Sequence, residues 1–383
     1  MSAPRKTPTA APKLAPPPAD DEDRYSITRV DGFLRYAEGP RRTMPPRYTR
    51  QETAGLSGRE LARYQASVKV WHANIGPLET PQLTALHEAL WEIVDSNHQD
   101  GDKQKPAALV DAYPGLGKTT AVLAFARDYH HKQIEELGAF TAEGHRRIPV
   151  AYIDLSGSTQ IRGLNEALCR FYNLPCGGNA DRLAERAKDA CLSLDTRVFV
   201  VDDLHFLAPV KANERSVRMG NQLKHLANTF PVTLIYAGVE VMRRKIPGDG
   251  DSQKALYDQF GRRTTALTMH PFRIEDDAGR VEWIRLLKSI ERQLVLPGKY
   301  PGMLARDLAD YLYARSTGHF QSLMELINRG CRRAVVTGHE VLDVELMDKV
   351  NNDSAAEEAR REIEAKLVEG LISAHPAQAG GRR

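Results

Sequence analysis

The stretch that decides the fold is DAYPGLGKTT, which runs from Asp111 to Thr120 directly behind the apolar run Ala107–Val110. A short apolar run of this kind is typical of a buried strand, and the following segment, AVLAFARDYHHKQ, has helical periodicity. Two glycines, a lysine and two threonines stand between them. The pattern indicates either a phosphate-binding loop at a helix N-terminus or an ordinary strand–turn–helix junction that holds a lysine.

The residues after this run match A-x-x-x-x-G-K-T, a phosphate-binding pattern with alanine at its first position. Glycines let the backbone N–H groups point at phosphate oxygens, the lysine reaches the β- and γ-phosphates, and the first threonine offers a hydroxyl to Mg²⁺. Ala112 would cost on the order of 1 kcal/mol if that position required a positive φ. The predicted metal ligand in the loop is Thr119. The predicted nucleotide-binding residues are Pro114, Gly115, Leu116, Gly117, Lys118, Thr119 and Thr120.

A second apolar run ends in two acids. The segment RVFVVDDLHFL places Asp202 and Asp203 behind Val198–Val201, 84 residues after Lys118 (202 − 118). In a Walker B strand the first acid holds Mg²⁺ through water and the second orients the attacking water, although VVDD alone also fits a strand that ends in a turn. Two such motifs at strand C-termini predict an ATP site. No Asn-Lys-x-Asp guanine box is present, which favours ATP over GTP. The second acid, Asp203, stands where a glutamate is usual, and the shorter side chain predicts slow hydrolysis.

Five short apolar runs alternate with helical stretches after Lys105, and this alternation predicts an α/β fold with a parallel sheet. From Ile274 onward only helical periodicity remains. We therefore expect an α/β nucleotide-binding domain over residues 105–272 and a helical domain over residues 273–352. The five runs are Ala107–Val110, Val150–Leu155, Val198–Val201, Val232–Ala237 and Ala266–Met269.

The two ends of the chain differ from its centre. Residues 1–50 are rich in proline and alanine and then in arginine, which predicts a disordered, basic arm and a candidate contact for DNA or a partner. Residues 51–104 predict a helical lead-in, with Thr80 as a helix cap and Pro81 at the first helical position. Residues 353–383 predict a charged tail that is first helical and then disordered.

Bulk composition excludes several classes of protein. The 383 residues are 42% apolar and 27% charged, as in ordinary globular proteins, and a net charge of +3 gives no global argument for nucleic-acid binding. Four cysteines without a C-x-x-C pair are typical of reduced thiols in a cytoplasmic protein. No apolar run approaches the ~18 residues of a membrane span, and no secretion signal is visible, so neither membrane insertion nor export is expected.

Three further segments carry a resemblance to a known family: NQLKHLANTFPVTLIYAGVE (Asn221–Glu240), YDQFGRRTTALTMHPF (Tyr257–Phe272) and STGHFQSLMELINRGCRRAVVTGHEVLD (Ser316–Asp343). In this order behind the two acids, they resemble AAA+ ATPases of the TniB/TnsC type, which assist DDE transposases. The similarity spans roughly residues 70–350. It implies an AAA+ P-loop NTPase with a central five-stranded parallel sheet, a C-terminal helical lid, and ATP and Mg²⁺ as cofactors.

The resemblance also implies roles for individual residues. Asp203 would be a catalytic acid, and Arg262 and Arg263 would be candidates for an arginine finger, although paired arginines are also common on solvated surfaces. A sensor 1 residue should end the fourth strand, where only Tyr236 or Glu240 is available. A sensor 2 arginine should open the lid helix near residues 320–321, and none stands there.

Contacts with DNA are implied by the loop after the second strand, which faces DNA inside a helical assembly in the resembling ATPases. Here that loop is SGSTQIRGL, whose small polar and basic groups can bind phosphates without reading bases. A second basic stretch, VKANERSVRMGNQLKH, fits DNA contact or an ordinary solvated helix. The predicted DNA-binding residues are Thr159, Gln160, Arg162, Lys211, Arg215 and Arg218.

The preferred interpretation is an ATPase that regulates transposition. It would form a homo-oligomer on double-stranded DNA without sequence preference, recruit or activate a DDE transposase together with a TniQ-like adaptor, and disassemble on slow ATP hydrolysis. The alternative is a P-loop signalling or defence ATPase that acts as a nucleotide-switched protein module without DNA. A small-molecule kinase fits less well because no acceptor-pocket motif is evident. The basic loop at Gly157–Gly163 favours the first interpretation.

Overall fold

The computed structural model describes residues 25–98, 105–155, 161–203, 225–238 and 263–375 of the chain. At its centre lie five parallel strands, so the predicted parallel α/β sheet is confirmed. The strands are β1 (Ala107–Ala112), β2 (Val150–Asp154), β3 (Val198–Asp202), β4 (Thr233–Gly238) and β5 (Thr264–Met269). Their order across the sheet is β2-β3-β4-β1-β5.

Burial differs between the centre and one edge of this sheet. β1, β3 and β4 are buried along their whole length, whereas β5 exposes about half of its residues. Because all strands run in the same direction, Ala112, Asp154, Asp202 and Gly238 end at the same side of the sheet. Ligands bind at this carboxyl side in open α/β sheets. The fold therefore brings the loop after β1 and the acids after β3 to one place.

Helices flank the strands and continue beyond them. Before β5 the helices are α1 (Val30–Glu38), α2 (Arg50–Ala54), α3 (Gly58–Ala73), α4 (Pro81–Ser96), α5 (Lys118–Leu137), α6 (Ile161–Phe171) and α7 (Ala180–Ser193). After β5 they are α8 (Asp277–Gln293), α9 (Ala309–Ser316), α10 (Phe320–Thr337), α11 (Val344–Met347) and α12 (Ser354–Val368), and a π-helical segment, Met303–Asp307, precedes α9. The predicted cap of α4 is present, since Thr80 Oγ1 accepts the N–H of Leu83 at 3.2 Å.

α1 lies within the arm that was predicted to be disordered, and for this helix the prediction is wrong. Phe33, Leu34 and Ala37 are buried in the same core as the strands. Together with Val30 they follow the spacing i, i+3, i+4, i+7, which gives a helix one apolar face. Arginines at nearby positions hide this spacing in the sequence. Residues 1–24 lie outside the described residues.

A second core is formed by the helices after β5. Trp283 of α8, Leu312 of α9 and Leu326 of α10 are fully buried in it. Arg315 is also buried, and its guanidinium donates a 2.6 Å hydrogen bond to Glu357 of α12. A buried cation is tolerated only when it is paired in this way. The ion pair therefore binds α12 to the helical domain.

The N-terminal segment contacts both cores. α1 packs against α5, whereas α3 packs against α10 of the helical domain. Trp71 Nε1 donates to the carbonyl of Gln293 at 2.7 Å, and His72 Nε2 accepts the N–H of Val295 at 3.0 Å. Burial lowers the pKa of His72 to about 4, which keeps the ring neutral and able to accept this bond.

The strands lie between residues 107 and 269, and the helices of the second core begin at residue 277, on either side of the predicted boundary at 272/273. The limits of the five predicted regions stay predictions.

None of the helices in the described ranges is both long enough and apolar enough to cross a bilayer.

Candidate functional site

The loop 113–117 joins β1 to α5 and turns the backbone at two glycines. Gly115 has a φ of 76° and Gly117 a φ of 83°, in the left-handed region that glycine adopts without strain. Gly117 is the N-cap residue of α5, so the free N–H groups of the first helical turn adjoin the loop. Ala112 is the last residue of β1 and is not among the residues with positive φ. The strain considered for alanine at this position therefore does not arise.

Lys118 is the first residue of α5 and is only 8% exposed. Its Nζ donates to the carbonyl of Tyr113 at 3.4 Å. Burial lowers the pKa of Lys118, and the nearby carboxylates of Asp202, Asp203 and Asp111 oppose that shift. The structure thus brings the lysine of the loop close to both acids of the second motif. Asp111, a buried carboxylate on β1, is a further member of this site that the sequence analysis missed.

Asp202 ends β3 and both of its carboxylate oxygens are hydrogen-bonded. Oδ2 accepts from the hydroxyl of Tyr152 at 2.8 Å, and Oδ1 accepts from the N–H of Asp203 at 2.8 Å. Burial, followed by the charge of Asp202, raises the pKa of Tyr152 well above its usual range, so its hydroxyl stays protonated and donates. Asp203 has a φ of 55°, a left-handed conformation that aspartate tolerates better than most residues. Tyr152 was missed because a tyrosine within an apolar strand is typical of core.

The oxygen donors at this site suit a magnesium ion. Thr119 and Thr120 are exposed at the start of α5, next to Lys118. A threonine hydroxyl and an aspartate carboxylate are hard ligands, which Mg²⁺ prefers, usually together with phosphate oxygens and water. Thr119 and Asp202 therefore fit a magnesium ion, and Lys118 with the loop N–H groups fits the phosphates that would accompany it.

The helical domain closes directly over the loop. α10 begins at Phe320, and the N–H of Gln321 donates to the carbonyl of Gly115 at 2.8 Å. A Cβ built at Gly117 would lie 3.6 Å from Cδ1 of Phe320. A backbone N–H, rather than a sensor 2 arginine, thus connects the start of this helix to the loop.

We expect Gly318→Ala to lower the free energy of unfolding by about 3 kcal/mol or more. Gly318 has a φ of 73°, its carbonyl accepts the N–H of Phe272 at 2.9 Å, and an added Cβ would collide with the carbonyl oxygen of Phe272. Gly338 has a φ of 72° with no atom within 4 Å of its Cβ position, so Gly338→Ala should cost only about 1 kcal/mol. Urea denaturation of both variants measures the difference, and equal losses would contradict the close approach.

Three other predicted residues are described. Arg162 is exposed on α6, with Nε 2.8 Å from Oε1 of Glu166. Tyr236 is buried within β4, and burial raises the pKa of its hydroxyl. Arg263 is exposed directly before β5, and its carbonyl accepts the N–H of Ala107 at 2.8 Å. The roles assigned to these residues stay predictions.

The remaining predicted positions lie outside the described residues, so their roles also stay predictions. They are Thr159, Gln160, Lys211, Arg215, Arg218, Glu240 and Arg262.

All four cysteines are free thiols, and Cys169, Cys191 and Cys331 are buried.

Known proteins share this architecture. Residues 101–246 match a family model described as an AAA domain. The structure of the Aeropyrum pernix ORC2 protein in its ADPNP–ADP complexes is similar with a TM-score of 0.53 and 16% identity, covering 75% of this chain and 72% of that chain. Its ADP form is similar with a TM-score of 0.51 and 14% identity, covering 78% and 74%. No curated protein gives a significant match. The chain therefore has the α/β fold of an AAA+ P-loop NTPase.

Proposed function

We propose that this chain binds and hydrolyses ATP with Mg²⁺. The observation that carries the proposal is the position of Lys118, which begins α5 directly after the glycine loop and lies within electrostatic reach of Asp202 and Asp203. Lys118 would bind the β- and γ-phosphates, Asp202 would hold the ion through water, and Asp203 would orient the attacking water. The similar Aeropyrum pernix ORC2 structure holds ADPNP and ADP, which supports the same class of ligand here.

We further infer that the chain regulates transposition in the cytoplasm. In this proposal ATP drives assembly of a homo-oligomer on duplex DNA, the assembly recruits a DDE transposase and a TniQ-like adaptor, and slow hydrolysis releases it. The resemblance of three sequence segments to the TniB/TnsC type supports this role. The net charge of +3 means that affinity for DNA would come from local groups such as Arg162 rather than from the whole surface.

We expect DNA binding to require ATP, to ignore sequence and to weaken steeply with salt, because phosphates would supply the contacts. Gln160→Ala/Arg162→Ala should weaken binding about 10-fold on every sequence and reduce the salt slope by about 1, as expected for one lost phosphate contact. Fluorescence anisotropy with random duplex DNA, with and without ATPγS, measures both. Arg170→Ala is the matched control, since Arg170 is exposed at the other end of α6.

Two results would contradict this proposal: a strong preference for one sequence, or an affinity that does not change between low and moderate salt. A chain that binds ATP but not DNA under any of these conditions would instead support the alternative, a nucleotide-switched module that binds other proteins.

A further inference from the structure

The carboxylate of Asp202 is held at both oxygens by groups of this chain. The hydroxyl of Tyr152 donates to Oδ2 and the N–H of Asp203 donates to Oδ1, each at 2.8 Å. Asp202 is 2% exposed and Tyr152 is 4% exposed. Since the two donors bind different oxygens, the carboxylate cannot rotate about its Cβ–Cγ bond without breaking one of these hydrogen bonds. Each oxygen retains a lone pair for a further partner.

The sheet register explains why Tyr152 reaches this carboxylate. In the parallel pair of β2 and β3, Tyr152 lies opposite Val200 and Asp154 lies opposite Asp202. Residues two apart on a strand point to the same face, so Tyr152 and Asp202 are diagonal neighbours on one face of the sheet. A diagonal of this kind is within the reach of an aromatic side chain.

We propose that Tyr152 is a positioning residue, which orients the Asp202 carboxylate for the magnesium ion that accompanies the nucleotide. The inference rests on the proposed ATP site. Carboxylates that bind a metal directly or through water are oriented by further hydrogen bonds, and removal of such a partner typically lowers metal affinity or activity 10–100-fold. Tyr152 is the side chain that supplies this bond here, whereas the Asp203 contribution comes from the backbone and survives side-chain substitution.

A purely structural role for the Tyr152 hydroxyl makes a different prediction, and the chain contains a matched control. The hydroxyl of Tyr172 is also buried and donates to Thr196 at 3.0 Å, next to the start of β3 and thus at the end of that strand opposite Asp202. Tyr152→Phe and Tyr172→Phe each remove one buried hydroxyl and keep the ring. Both should lower thermal stability by similar amounts, but only the first should alter the response to magnesium.

The experiment measures the affinity of the full chain for ATPγS, first in EDTA and then over a MgCl₂ titration. Tyr152→Phe should bind metal-free nucleotide within about 2-fold of the wild type, while the Mg²⁺ concentration for half-maximal enhancement rises about 10-fold. Tyr172→Phe should match the wild type in both measurements. In an Asp202→Asn background, Tyr152→Phe should add no further change, because the two residues act through one bond.

An unchanged Mg²⁺ midpoint in Tyr152→Phe, or an equal shift in Tyr172→Phe, would overturn the inference while leaving the ATP site intact. A wild-type chain that binds no nucleotide, with or without Mg²⁺, would instead overturn the proposed function itself. Tyr152→Met is a second hydroxyl-free variant with a flexible apolar side chain, and it gives the same test if the phenylalanine variant does not fold.

Discussion

Replacing Arg262 and Arg263 together by alanine is expected to lower ATP hydrolysis about 10³- to 10⁵-fold, the range over which arginine fingers act. A finger stabilises the charge that develops on the γ-phosphate, and arginine suits the role because it stays charged and can bind two phosphate oxygens at once. ATP binding should change little, since the loop residues and both acids remain. Steady-state hydrolysis and ATPγS affinity of the double variant separate these two effects.

The position of Arg263 is too far from the phosphate-binding loop of its own chain for a finger role there. Its carbonyl accepts the N–H of Ala107, at the start of β1, whereas the phosphate-binding loop follows the end of the same strand. At about 3.3 Å per residue, the five steps from Ala107 to Ala112 separate the two places by about 17 Å, which is longer than an arginine side chain. Arg263 also lies beside β5, the half-exposed edge of the sheet.

Mixing two inactive chains tests this sharing of the active site. The Arg262→Ala/Arg263→Ala chain keeps its loop and acids, and an Asp203→Asn chain keeps the arginines but cannot orient water. Asparagine also tolerates the left-handed φ of 55° at position 203, so this variant should fold normally. Each chain alone should be nearly inactive, and a mixture should recover part of the activity because one kind of interface is then complete.

Two observations would contradict the finger. One is a double variant that hydrolyses ATP as fast as the control Arg285→Ala, which removes an exposed arginine of α8. The other is a mixture that recovers no activity at any ratio although the two chains assemble together.

Lys118→Ala is expected to weaken ATP binding about 100-fold or more, because two charge-assisted hydrogen bonds to phosphate, at about 1.5 kcal/mol each or more, are lost together. The three carboxylates around Lys118 add to the effect, because in the variant they repel the phosphates without a compensating cation. Burial of the site strengthens this repulsion, since water screens it less. Isothermal titration with ATPγS measures the affinity.

Lys132→Ala provides the control on the same helix. Lys132 lies further along α5, where its Nζ is 4.0 Å from Asp95 and 4.4 Å from the ring centre of Trp91. Its removal should leave ATP binding unchanged. Similar affinities for the Lys118→Ala and wild-type chains would remove the phosphate-binding interpretation of the loop.

The sheet and the loop could be predicted because their signals are local. Each strand is an apolar run of four to six residues, and the loop places glycine, lysine and threonine in one short stretch. α1 was missed because Asp31, Gly32, Arg35 and Tyr36 stand between its four apolar positions, and the arginine-rich composition around it obscured a regular spacing. The role of Tyr152 was missed for a different reason. Its hydrogen bond joins residues 50 positions apart, and only the pairing of β2 with β3 determines that they meet.

The position of α3 has a consequence for the order in which the chain folds during its synthesis. Trp71 and His72 of this helix bind residues 222 and 223 positions further along, and Tyr64 and Val68 share a small apolar cluster with Val295. At 5–20 residues per second, the ribosome needs about 10–45 s to produce that separation. An isolated helix of 16 residues is marginal in water, and α3 lacks its partners in the helical domain throughout this interval. The α/β sheet can form first and bind α1, whereas α3 can dock only after the helical domain has emerged.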